Sequence, residues 1–289
     1  MMEWLNAIVQ GVLLGGLYAL FAAGLSLMFG VMRFVNLAHG DFIIAAAFAA
    51  LLLVDMTGMH PLTTVAIIVP GMALVGYVGQ RVMLNRVTGG NLLSSILVTF
   101  GLSVIVQNLL LEGFSADSRR ISAGWLDTAA IEIGGGLSVG AVPMLLFVTA
   151  LVVLGVLNWV FGHTNIGRLL RAASDDPETI GLMGADKRHL YGVAMAIAAA
   201  VAGLAGVLLA IKTNFDPAAG PIRLLFAFEA VIIGGLGSLW GTLAGGVLLG
   251  VAQAIGAQID PGFQILAGHV VFLAVLILRP QGLFPKQRS

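Results

Sequence analysis

Few residues in this 289-residue chain are of types that carry out chemistry. Cysteine is absent, so thiolate nucleophiles, disulfides and thiolate metal sites are all excluded. His39, His60, His163, His189 and His269 are scattered without paired spacing, which argues against a metal centre. Ser238 sits in a glycine-rich break and His269 in a later apolar stretch, so an intramembrane Ser–His dyad can be drawn. Spacing alone supplies no hydrogen-bond geometry, and each has a simpler role: Ser238 as a turn residue, His269 as a helix–helix hydrogen bond. A phosphate-cradling loop needs Gly-x4-Gly-Lys-Ser/Thr. The nearest approach, Gly162 to Leu169, lacks both the Lys and the hydroxyl. No covalent chemistry is expected on this chain, and it is not expected to be an enzyme.

The remaining chemistry is that of binding and passage. Glu229 is the one acidic residue well inside an apolar segment. A charge at mid-bilayer costs roughly 2.5–3.5 kcal/mol on insertion scales, so such a residue defaults to a functional or paired role. Glu229 lies early in its segment, and the expectation is an interfacial position or a pair with Arg223. Glycine-interrupted apolar segments often mark transporter sites, because half-helix ends aim dipoles and free backbone groups into a cavity. The chain has one such place per half: Asn36, His39, Gly40 and Asp41, and then Gly234, Gly235, Gly237 and Ser238. A half-helix N-terminus suits an amino acid's carboxylate. The simpler reading of the glycines is close helix packing. For Asn36, His39 and Asp41 it is a polar turn with Asp41 as N-cap of the following helix.

The elements that hold these residues are membrane spans. Hydrophobic residues make up 59% of the chain and charged residues 10%, with a mean hydropathy of +1.02. A soluble domain needs about 25% charged residues to face water, so most of this exterior must face lipid. Zero net charge gives no reason to expect nucleic acid. The N-terminus lacks the basic region of a cleaved signal peptide. Eight apolar stretches suit spans of roughly 20 residues: 5–29, 42–58, 62–79, 92–111, 142–161, 191–211, 225–256 and 263–278. The fold class is an all-α polytopic membrane protein, with residues 1–289 as one membrane domain.

Lys and Arg set the orientation. With the N-terminus outside, Arg33, Arg81, Arg86, Arg168, Arg171, Lys187 and Arg188 lie inside, and Arg119, Arg120, Lys212 and Arg223 outside. If 225–256 is one span, Arg279, Lys286 and Arg288 join the outside and the count is seven against seven. If that stretch enters and returns, the count is ten inside against four outside, which fits the positive-inside rule far better. The run Gly234-Gly235-Leu236-Gly237-Ser238-Leu239-Trp240-Gly241 supplies the break. Because 32 residues cannot hold two full helices, short or re-entrant half-helices are expected, with eight segments making eight to nine crossings, N-out and C-in.

Two loops stand out by length. In the outer one, 112–141, the stretch Ile131-Glu132-Ile133-Gly134-Gly135-Gly136 suits a small hairpin. The inner one, 162–190, is the most charged part of the chain. Asp175 or Asp176 can act as an N-cap there, Pro177 suits the first helical position, and Glu178 favours the positive end of the dipole. Ile180, Leu182 and Met183 supply an apolar face, and Gly184 can close the helix in the left-handed region. The expected result is a surface helix of about two turns, either a merely solvated connector or a docking helix for a partner.

Three runs, in order along the chain, carry a family resemblance. The first is Tyr18-Ala19-Leu20, Gly24-Leu25, Phe29-Gly30-Val31 and Val35-Asn36-Leu37-Ala38-His39-Gly40-Asp41-Phe42. The second joins Arg171-Ala172, Asp176-Pro177-Glu178 and Met183-Gly184 to Ala202-Gly203-Leu204-Ala205-Gly206-Val207-Leu208. The third is Arg279-Pro280-Gln281-Gly282-Leu283-Phe284. Together they resemble the branched-chain amino acid ABC transporter permeases, in particular the shorter member of the high-affinity leucine-isoleucine-valine pair. The resemblance implies a type II importer-like permease in a bacterial inner membrane, pairing with a second permease. Two cytoplasmic ATPases would bind the ATP, with 177–183 in a groove of one of them, and an external solute-binding protein would deliver substrate. Similar permeases for amides or urea are an alternative. A stand-alone carrier or channel is another, disfavoured because the spans offer almost no ionisable groups.

Overall fold

The computed structural model describes residues 2–87, 92–134, 137–176, 179–182 and 184–284. The chain runs as α1 Met2–Met32, α2 His39–Thr57, α3 Val65–Val82 after a 3-10 turn at Pro61–Thr64, and α4 Leu92–Phe114. A short α5 (Trp125–Thr128) and the hairpin β1 Ala130–Gly134 with β2 Leu137–Gly140 lead to α6 Ala141–His163. Then follow α7 Asn165–Asp175, α8 Thr179–Leu182, α9 Lys187–Lys212, α10 Gly220–Gly234, α11 Leu239–Ile259 and α12 Phe263–Leu278. Among the described residues seven helices are long and apolar enough to cross a membrane. The shorter apolar helix α12 follows them, and the chain is an all-α multi-pass membrane protein apart from the antiparallel hairpin expected at 131–136. Gly135 and Gly136 of that stretch lie outside the described residues.

Burial sorts the passes. In the most apolar windows of α1 and α9, 83% and 78% of residues are buried, against 17% in α4 and 22% in α3 and α6. The first two form the centre, and the others turn a broad apolar face outward. Between α1 and α11 the seam is built on glycine: a Cβ on Gly11 would lie 2.7 Å from Val251 Cα, and one on Gly246 would lie 2.7 Å from the Gly15 carbonyl oxygen. In lipid, where apolar burial drives no association, such close backbone approach is what holds helices together.

The same contacts fix direction. Gly11 meets α11 near one end of α1 and Gly30 meets Gly237 near the other, so α1 and α11 run antiparallel. Ser174 Oγ of α7 donates to the Gly30 carbonyl at 2.7 Å, which brings the 162–190 loop to that second end. The N–H groups of Leu283 and Phe284 donate to the carbonyls of Ile233 and Gly234 at 2.8 and 3.0 Å, so the C-terminal segment lies there as well. Phe215 and Arg119 exchange backbone bonds of 2.8 and 2.9 Å at the opposite end, where the hairpin also sits.

Two expectations about segments are corrected. The stretch 225–256 is too narrow: the helical run begins at Gly220, with Pro221 in the first turn, and continues to Ile259. That length holds one short helix of 15 residues and one full helix of 21, so α11 is a complete pass rather than a half-helix. The loop after α6 is likewise not mostly irregular. Thr164 accepts from the Gly167 N–H at 3.1 Å and caps an 11-residue helix, α7, with Gly167, Leu170 and Ala173 buried. Asp175 ends that helix instead of capping the next, and Asp176 closes it with its N–H bonded to the Ala172 carbonyl at 3.0 Å.

Candidate functional site

The Asn36–Asp41 segment does not remain at the end of the bundle. After α1 the chain turns back, and His39 donates from Nε2 to the Phe21 carbonyl at 2.8 Å. Phe21 lies eleven residues, about 16 Å, before the end of α1, so α2 starts deep in the membrane. Asn36 organises the turn by accepting the Ala38 N–H on its side chain at 3.0 Å and the His39 N–H on its carbonyl at 3.2 Å. Ala38 occupies the N-cap position with no side-chain bond. Asp41 is therefore not an N-cap: the helix starts three residues earlier than expected and leaves Asp41 in its first turn.

Asn36, His39 and Asp41 are all buried, at 0%, 1% and 1% exposure. Neither carboxylate oxygen of Asp41 has a hydrogen-bond partner. Ser103 and Gln107 of α4 face this carboxylate. On its other side lies the first turn of α10. Gly40 packs against the Gly220 carbonyl, and a side chain on Gly220 would collide with Asp41 Oδ1, so two helix N-termini converge at this carboxylate. One turn along α10, Arg223 has a buried Nε without a partner.

Glu229 settles differently. It is 1% exposed and pairs with His269 Nδ1 of α12, which overturns both the interfacial position and the Arg223 pairing. The pair ties α10 to α12 and meets the helix–helix role expected for His269. Tyr18 donates to Gln253 Oε1 at 2.5 Å and its ring lies 5.0 Å from that of Phe226, which ties α1 to α11 and α10. Ser238 Oγ accepts from the Gly241 N–H at 3.1 Å and caps α11. With His269 committed to Glu229, the two groups form no dyad.

Gly234, Gly235, Gly237 and Ser238 lie at the bundle end shared with the C-terminal segment. Gly235 and Gly237 have φ of +105° and +79°, the left-handed region that glycine tolerates. Gly237 and Ser238 line a cavity of about 330 Å³ with Ser26, Gly30, Asn158 and Arg171. Gly282 also has a positive φ, and a Cβ there would lie 2.5 Å from Gly235 Cα. The two glycine regions of the sequence are thus not one site: Asn36–Asp41 meets the start of α10, and Gly234–Ser238 forms its end.

On the 162–190 loop, the described part of the expected docking helix is the single turn Thr179–Leu182. Ile180 is buried and Gly184 follows at φ +76°, the left-handed closure expected of it. Pro177, Glu178 and Met183 lie outside the described residues, as does the side chain of Leu182. Beside this turn, Arg81 at the end of α3 bonds Asp186 at 2.8 Å, and that hydrogen bond holds the Asp186 carboxyl below its ordinary pKa.

Sequence reasoning passed over Gln253 and the stripe Ser95, Thr99, Ser103 and Gln107 on α4, and met Tyr18 only in a family run and Arg223 only as an outside charge or a partner for Glu229. The stripe had a legible signal, since spacing of four puts those polar groups on one helix face. Buried His39, Asp41 and Glu229 also make ionisable groups more numerous than the near-absence expected of the spans.

The chain matches the family described as branched-chain amino acid transport system / permease component over residues 7–279. It belongs to this family. The chain is 30% identical to the high-affinity branched-chain amino acid transport system permease protein BraD of Pseudomonas aeruginosa, over 97% of this chain and 95% of the relative. The corresponding LivH protein of Escherichia coli is 24% identical with the same coverage. The LivM protein of Escherichia coli is 26% identical over 94% of this chain and 68% of its own length. No solved structure matches the chain significantly. As a transport permease component, it supplies a route through the membrane.

Proposed function

We propose that this chain is the membrane-spanning subunit of an ATP-driven importer for branched-chain and related neutral amino acids. It works beside a second permease of the same family, in a bacterial inner membrane, with its N-terminus outside and its C-terminus in the cytoplasm. Two cytoplasmic subunits bind the ATP and dock on the 162–190 region through Asp176–Gly184. An external solute-binding protein delivers substrate to the opposite end, at 112–141 and 212–224.

The observation that carries this reading is the state of the 162–190 loop. A solvated connector has no reason to bury Leu170, Ala173 and Ile180 or to anchor Ser174 on α1. The loop is instead a folded platform, set at the bundle end that gathers Arg33, Arg81, Arg168, Arg171, Arg188 and Arg279. A force on α7 and α8 reaches Gly30, and Gly30 touches Gly237 at the hinge between α10 and α11. The same hinge is braced by the C-terminal segment, which gives the Arg279–Phe284 run a physical role.

Mass spectrometry of the complex extracted in mild detergent from the native host tests this. Stoichiometric recovery of ATP-binding subunits and a second permease is expected. A chain recovered alone that moves solute without ATP would replace the reading with a carrier or channel. Replacing Glu178 and Leu182 by Gly is further expected to uncouple ATP hydrolysis from uptake while leaving the chain inserted.

A further inference from the structure

The start of α10 brings together two groups of opposite charge that do not satisfy each other. Asp41 is enclosed with both oxygens unpartnered, against Gly220 and beneath Ser103 and Gln107. Arg223 lies one turn further along α10, with its Nε buried and unpartnered, and its charge neighbours are Tyr18 and Asp216. No ion pair joins Asp41 to Arg223 among the described residues. A charge left at membrane depth is expensive, and a chain able to pair Glu229 with His269 has the means to pair these also. A ligand that brings both charges would offset that cost from outside the chain.

We infer that Asp41 and Arg223 form a dipolar recognition site for a zwitterion: Asp41 takes the α-ammonium of an amino acid, and Arg223 takes its α-carboxylate. The inference rests on the importer reading and names the contacts that reading lacks. The N-terminal turn of α10, a helix of 15 residues, adds the positive end of a dipole on the carboxylate side. Ser103, whose Oγ accepts from Gln107 Nε2 at 3.0 Å, and Gln107 line the Asp41 side of the site with polar groups. Asp41 is closed off in this structure, so loading requires the first turn of α10 to move from the first turn of α2. The Gly40–Gly220 contact is where those turns touch.

The test is binding to the purified permease–ATPase complex without the solute-binding protein. Tritiated leucine is the probe, competed by its deaminated analogue isocaproate and its decarboxylated analogue isoamylamine. Asp41→Asn is expected to reduce the preference for leucine over isocaproate about tenfold or more, as loss of a charge-assisted hydrogen bond does. Arg223→Gln is expected to reduce the preference for leucine over isoamylamine similarly, with partial recovery in Arg223→Lys. A merely structural role weakens leucine and both analogues alike and leaves the ratios unchanged, and that result overturns the inference. If Asp41→Asn fails to assemble, the two Arg223 variants decide alone. Failure of the importer reading shows separately, as a wild-type complex that takes up no leucine on addition of ATP.

Discussion

Asp41 and Glu229 are equally buried carboxylates on either side of one short helix, yet only one of them has a partner. Glu229 is answered by His269 within the chain, and the result is a fixed joint between α10 and α12. Asp41 meets two helix N-termini and two polar side chains without a hydrogen bond. The difference separates a charge that holds the fold from one kept in reserve for something that passes. It also divides α10 into an end that can respond to a ligand and a middle that is anchored.

The largest expected effect lies on the anchored side. Glu229→Ala leaves His269 facing a buried gap, and removing one partner of such a pair costs about 3 kcal/mol or more. Thermal unfolding in detergent should show a clear loss, recovered largely in Glu229→Leu with His269→Leu, since apolar replacement of both partners is often neutral. If the double variant is as unstable as the single one, the pairing is not what matters there.

Next in size is the hinge. Gly282→Ala places a side chain against Gly235 at a positive φ, and backbone strain of this kind costs about 1–3 kcal/mol. Slower ATP-dependent uptake by an assembled complex is expected, because the C-terminal segment no longer holds the end of α10. Normal uptake would confine the role of this segment to stability.

Asp41→Asn should move stability little, and upward if at all, since a costly charge is removed. A melting temperature that falls as far as that of Glu229→Ala would erase the distinction between the two carboxylates.

The smallest effect belongs to the exposed pair at the platform. Asp186 has a lowered pKa in the folded protein because Arg81 bonds its charged form. Its stabilisation is therefore complete above the ordinary carboxylate range and is lost as pH falls through the lowered value. The melting temperature of Asp186→Asn should lack this pH dependence, and the wild type should approach it only in acid.

Much of the fold was legible because span length and basic-residue bias are set directly by the bilayer. Both reach the sequence without knowledge of packing, and the entering-and-returning reading of 225–256 came from charge count together with the glycine-rich break at 234–241. The error there, a half-helix in place of the full α11, came from starting the segment at Leu225. Gly220, Pro221 and Arg223 look like loop residues, although proline is at home in a first turn. The helix α7 was missed for a related reason: its charged face reads as solvent, and its buried residues, Gly167, Leu170 and Ala173, are few and small. Within the site, Asn36, His39 and Asp41 stood out by type. Their depth did not, because a chain that turns back into the membrane shows only in the Phe21–His39 bond. The Glu229–His269 pair spans forty residues, and no periodicity joins them.

The most direct measurement is ATP-dependent uptake of leucine into vesicles carrying the complete transporter, comparing Asp41→Asn with the paired replacement of Glu229 and His269 by Leu. Uptake should fall about tenfold or more in Asp41→Asn at unchanged melting temperature, and persist in the paired variant. Loss of uptake in both, or in the paired variant alone, would contradict the assignment of Asp41 to the substrate and of Glu229 to the fold.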